Sequence, residues 1–158
     1  MQLTLTTTRE RYSGDDELDL HARYTNDSDA PIALSFWWNR EIRVVDAAGV
    51  VVVPNPGPVL PCGTAETLEV IAPGTSFERS ESFGCTQPAG RSERIGWSYA
   101  LAPGTYKISL VFESPPPHGF VQHAADPREF RGRVESNPVT ITITSPKTPP
   151  RKKLFGLF

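Results

Sequence analysis

Three histidines, His21, His118 and His123, are the first places to look for chemistry in this 158-residue chain. Nucleophilic catalysis needs a serine or cysteine within hydrogen-bond reach of a base. His21 falls on the polar side of an alternating stretch and reads as a surface residue. His118 and His123 stand in a proline-rich loop, and no Gly-x-Ser-x-Gly elbow occurs. A metal centre wants clustered Cys, His and carboxylate ligands at short spacing. His118, His123 and Asp126 lie near one another, but that spacing on a loop reads as a solvated loop. The carboxylates Asp15, Asp16 and Glu17 follow Gly14 and read as a turn before a strand, not as an acid/base pair. No Gly-rich loop opens a helix, so phosphate binding has no support. The expectation is a non-enzyme with no metal and no cofactor.

Two other groups of residues point to recognition instead. Trp37 and Trp38 are adjacent on a strand, so their side chains take opposite faces. One can fill the core; the other is either an interface anchor or is covered, by the loop at residues 54–61 or by stacking on Arg40. The second group is the C-terminal tail. Lys147, Arg151, Lys152 and Lys153 precede Leu154, Phe155, Leu157 and Phe158. Four large apolar side chains in a segment so short cannot bury themselves. They dock on a partner, on the chain's own body, or at an anionic membrane surface.

The elements that must position these residues read as strands. Residues 17–25 put Leu18, Leu20, Ala22 and Tyr24 on one face and Asp19, His21 and Arg23 on the other. Residues 104–113 place Tyr106, Ile108, Leu110 and Phe112 inward by the same period. Residues 2–8 read as an edge strand, and further strands fall at 32–38, 41–46, 50–53, 67–72, 76–83 and 95–101. Residues 130–134 and 138–144 read as a closing pair around Ser136 and Asn137. Turns are marked by Asn26 to Pro31, Ala47 to Gly49 and Pro73-Gly74. Residues 54–63 hold four prolines and read as a long loop, as do 84–94 and 114–127. About nine short strands and no amphipathic helix predict an all-β, immunoglobulin-like, two-sheet antiparallel sandwich over residues 1–145. Residues 146–158 form a proline-containing linker and a basic, hydrophobic tail.

Composition agrees. Apolar content is 38% and charged content 22%, as in a folded chain, and sixteen prolines with twelve glycines suit frequent turns. The net charge of −2 splits into +4 on residues 146–158 and −6 on residues 1–145. An acidic body argues against general nucleic-acid binding, which needs a basic surface. No leader pattern follows Met1, and no run of about 18 apolar residues exists, so the expected compartment is the cytoplasm. There Cys62 and Cys85 are free thiols; in an exported chain they can pair.

Three segments carry a resemblance. Asn26 to Phe36, Ile42 to Gly49 with the valines that follow, and Leu101-Ala102-Pro103-Gly104-Thr105-Tyr106 resemble bacterial immunoglobulin-like and fibronectin-like modules. In such sandwiches the tyrosine of the last segment bonds backbone a few residues upstream and pins a corner. The order of these pieces, over roughly residues 18–112, is similar to the bacterial intracellular proteinase inhibitor (BsuPI-type) family, a cytoplasmic β-sandwich. The expected function is thus an adaptor or accessory module whose loops or sheet edge bind one protein and whose tail docks on another. The alternatives are a protease inhibitor presenting a proline-stiffened loop, which the resemblance implies, and an exported structural subunit with a Cys62–Cys85 disulfide.

Overall fold

Period-two burial organises the chain in the computed structural model, which describes residues 1–36, 40–52, 68–84 (the backbone alone for 81–84), 101–114 and 126–146. The described strands are β1 Gln2–Thr7, β2 Arg11–Ser13, β3 Glu17–Thr25, β4 Ile32–Ser35, β5 Arg40–Asp46, β6 Val51–Val52, β7 Leu68–Ile71, β8 Ser76–Gly84, β9 Gly104–Ser114, β10 Gly132–Glu135 and β11 Val139–Thr144. The chain is an all-β sandwich. One layer is β1-β3-β8 and the other is β2-β11-β9-β5-β6 with β10 also on β9; a β4-β7 ribbon stands beside them.

The inward faces are those the alternation implies. Leu18, Leu20, Ala22 and Tyr24 of β3 are buried, as are Tyr106, Ile108, Leu110 and Phe112 of β9. With Leu3, Leu5, Val44, Ile141 and Ile143 they form one core between the layers. Each fully buried aliphatic side chain contributes about 1.5–3 kcal/mol relative to exposure. The outward residues Ser109 and Val111 of β9 are buried too. Glu135 and Arg43 stand over them: Ser109 Oγ donates to Glu135 Oε1 at 2.9 Å, and Arg43 Nη1 lies 4.0 Å from the same carboxylate.

The tyrosine corner forms. Tyr106 Oη donates to the Ala102 carbonyl at 2.8 Å. Burial, then the nearby Asp46 charge, raises the Tyr106 pKa, so the phenol stays protonated and keeps donating. Asn26, fully buried, organises the expected turn. Its Nδ2 donates to the Ala30 and Ile71 carbonyls at 2.8 and 3.0 Å, and its Oδ1 accepts from Ser28 N and Oγ.

Two expectations need correction. The segments at 130–134 and 138–144 do not pair with each other. Both β10 and β11 lie antiparallel along the same edge of β9, one after the other. Glu135 faces Val111 and Val139 faces Ile108, so Ser136, Asn137 and Pro138 oppose only Ser109 and Leu110. This is a β-bulge, made by the turn-forming residues that looked like a hairpin. The Ser136 hydroxyl accepts from Leu110 N at 3.0 Å in place of a backbone carbonyl. Asn137 is thereby aimed at β1: Leu5 N donates to its Oδ1 and its Nδ2 donates to the Leu5 carbonyl, both at 2.9 Å. One side chain stitches the two layers. The second correction concerns β2, which the sequence reading passed over. It pairs parallel with β11, so the antiparallel pattern has an exception.

Candidate functional site

The residues singled out for recognition sit mostly beyond what is described. Trp37, Trp38, Cys62, Cys85, Lys152, Lys153, Leu154, Phe155, Leu157 and Phe158 lie outside the described residues, as do His118, His123 and the long loops. Their flanks are informative. Phe36 and Arg40, on either side of the tryptophan pair, are held firmly.

Phe36 packs edge-on against Tyr24 (centroids 5.1 Å apart) and Phe112 (5.9 Å), and 5.5 Å from Phe77. Phe130 extends the cluster over Phe112 at 6.0 Å. Such pairs contribute about 0.5–1.5 kcal/mol each beyond area burial. Two guanidinium groups converge on the Phe36 ring, Arg40 from β5 at 5.5 Å and Arg79 from β8 at 5.0 Å. One arginine comes from each layer, and both are half-buried. This arginine–phenylalanine–arginine stack ties the two layers together at the end of β4. The sequence offers Arg40 as a stacking surface for a tryptophan, a contact that lies outside the described residues; its guanidinium covers Phe36. Arg79 was missed. Its signal was alternation, which puts it two residues after the inward Phe77, opposite the small Ala22.

The polar groups weighed for chemistry hold the fold. Asp16 Oδ2 accepts from Ser13 N at 2.9 Å and lies 3.3 Å from Arg9 Nη1, and Asp15 accepts from Ser13 Oγ. Asp126 accepts from Arg128 N (2.8 Å), Nε (3.0 Å) and Nη2 (2.7 Å). Those bonds hold its carboxyl down to about 2. Among the described residues no group of three or more His, Cys, Asp or Glu is placed to hold a metal ion.

Asp19, His21 and Ser80 do come together. Ser80 Oγ is 3.3 Å from His21 Nδ1, and Asp19 Oδ2 is 3.8 Å from His21 Nε2. They are neighbours on the outer face of the β3–β8 pair, where both His21 and Asp19 are nearly half exposed. A hydrolytic triad needs donors for a developing oxyanion and a site that excludes water. A flat, solvated sheet face whose amides are spent on the ladder offers neither.

Apolar exposure is concentrated elsewhere. Val50 (60% exposed), Val51 (45%), Leu68 (37%) and Val70 (47%) are the large apolar side chains that face solvent among the described residues. They belong to β6, with the residue preceding it, and to β7. A depression of about 180 Å³ lies beside the bulge, on the outer face of the larger sheet. Arg43, Val45, Lys107, Ser109, Glu135 and Pro138 line it. That is below the roughly 300–1,000 Å³ of small-molecule pockets.

No family model matches the chain, and no curated protein matches it in sequence. Among solved structures it is similar to the CARDB domain of the PF1109 protein from Pyrococcus furiosus, crystallised with di-metal ions. Identity is 8%, the TM-score is 0.43, and the match covers 92% of this chain and 93% of that one. A likeness of that degree bears on neither family nor ligand.

Proposed function

We propose that this chain is a non-catalytic protein-binding module, an adaptor or accessory domain. In this reading residues 1–145 are the binding scaffold and residues 146–158 the handle. The loops or a sheet edge hold one protein, and the tail docks on another. The observation that carries the reading is the placement of exposed apolar side chains. Val50, Val51, Leu68 and Val70 lie at or beside short strands that each pair with one neighbour among the described residues. Open strand edges with apolar side chains are suited to protein contacts. Arg40, Phe36 and Arg79 form a stack, and Phe36 and Arg40 flank Trp37 and Trp38 in the sequence, which makes that stretch a second candidate anchor.

The compartment in this reading is the cytoplasm, with both cysteines as thiols. Among the described residues no helix is long and apolar enough to cross a membrane. The acidic body disfavours nucleic acid as a partner, and peripheral contact of the basic tail with anionic lipid is compatible with the same scheme. A second reading, the BsuPI-type protease inhibitor, draws support from the Tyr106 corner, a feature shared by many sandwiches.

The test is a pull-down from native lysate with the full chain and with a chain ending at Pro146. Truncation there keeps Thr144 and Pro146, which contact Gly14, and the melting temperature is expected to stay nearly unchanged; a large fall would show that the tail is part of the fold. Proteins recovered only with the full chain support the handle. Identical sets overturn it. Inhibition of serine proteases at micromolar concentration would favour the second reading.

A further inference from the structure

We propose that the depression beside the bulge, between Arg43 and Lys107, receives the carboxylate side chain of a partner protein. The inference rests on the reading of residues 1–145 as a protein-binding scaffold and adds the chemistry of one of its contacts.

The bulge makes the space. On the outer face of the larger sheet, Arg43 of β5 faces Ser109 of β9, and Val45 faces Lys107. On the other flank of β9, Thr140 faces Lys107 and Glu135 faces Val111. The bulged residues between them put no long side chain over Ser109. Ser136 Oγ is bonded to Leu110 N, Asn137 reaches across to Leu5, and Pro138 carries only its short ring. A hollow of about 180 Å³ is left, and its lining comes entirely from β5, β9, β10 and the bulge. It is too small for a cofactor and large enough for one side chain.

Charge decides what fits. Lys107 is exposed and makes neither a hydrogen bond nor an ion pair among the described residues. Arg43, 44% exposed, approaches Glu135 at 4.0 Å, the outer limit of an ion pair. Arg133 Nη2 also stands off from Glu135, at 3.9 Å. Glu135 is held instead by Ser109, whose buried residue donates its hydroxyl to Oε1 at 2.9 Å. A guanidinium and an ammonium, diagonal neighbours on one face, therefore have donors to spare. The acids of this face, Glu41, Glu113 and Glu135, stand at or beyond Val111, on the far side of Ser109 from Lys107. Two cations and one carboxylate in the lining leave a surplus of one positive charge. A single carboxylate balances that surplus, whereas a phosphate dianion overshoots it. The incoming carboxylate accepts from the Arg43 guanidinium and Lys107 Nζ, and Val45 and Pro138 cover its methylene groups.

An amide NMR titration of the full chain with an acetyl-Ala-Glu-Ala-amide peptide tests this, with the Ala-Gln-Ala peptide beside it. Saturable shifts at the Lys107 and Ser109 amides, at millimolar concentration, are expected with the glutamate peptide alone. Lys107→Gln and Arg43→Gln should each weaken binding about three- to five-fold. Glu135→Gln keeps an acceptor for Ser109 and removes the competing charge, so binding should tighten about three-fold. Arg131→Gln removes an exposed cation at the opposite end of β10 from Glu135 and should change nothing. Equal shifts with both peptides, or an equal loss in Arg131→Gln, overturn the site. Tighter binding of a phosphoserine peptide also overturns it, since the hollow then belongs to phosphate. The two readings fail separately. No glutamate binding, with partners still recovered from lysate by the full chain, sinks the site alone. Glutamate binding with no partner recovered sinks the scaffold alone.

Discussion

β9 and β6 are both apolar runs within one sheet, and they meet opposite fates. Residues 108–112 of β9 are buried one after another, with β5 on one side and β10 and β11 on the other. Val50 and Val51 at β6 face solvent, and β6 faces β5 through two residue pairs. Composition does not separate them, since β-branched residues suit either place. Position in the sheet does. A central strand is covered on both flanks and by long side chains from its neighbours, whereas an edge strand lacks one flank.

The largest expected contrast comes from deleting the same kind of bulk at each place. Ile108→Ala leaves a cavity where the side chain is fully buried and should cost about 2–5 kcal/mol in chemical denaturation. Val51→Ala should stay within about 0.5 kcal/mol. Equal costs would show that β6 is buried in solution and would erase the contrast. Asn137→Ala sharpens it at an intermediate scale. The substitution removes two 2.9 Å bonds to Leu5 and turns the outer edge of β1 into one as open as that of β6. A loss of about 1–2 kcal/mol is expected, with faster amide exchange at Leu5. The smallest effect lies at the turn leading into β10. Arg128 bonds hold the Asp126 carboxyl at about 2, below its ordinary 3.8. A depressed carboxylate stabilises the fold above the ordinary value, and that contribution is lost as pH falls from about 3.8 through 2. In Arg128→Ala, a carboxyl titration by NMR should return toward 3.8. A value still near 2 would assign the effect to groups other than Arg128's side chain.

Much of this architecture was legible in the alternation of residues 17–25 and 104–113, because a half-buried strand writes its faces into its sequence. The tyrosine corner was legible too, through the resemblance of residues 101–106 to the segment that forms it in immunoglobulin-like sandwiches. The burial of Val111 was not, because alternation puts it on the outward face of β9. Arg11-Tyr12-Ser13 is too short to show a period, and its pairing with β11 is wholly non-local. Ser136 and Asn137 misled for a physical reason: side chains that bond backbone serve turns and bulges alike. Arg79 stood in plain view by its spacing from Phe77, but a charged residue on an inward face is easily read as solvated.

The Asn137 stitch also sets a schedule for synthesis. Its partner Leu5 lies 132 residues earlier in the chain, and the same separation joins Tyr12 to Thr144. On the ribosome, β1 and β2 emerge 132 residues ahead of the side chains that close on them. Until those segments follow, Leu5 and Tyr12 lack these partners, and contacts of such long sequence separation are the costly ones to close.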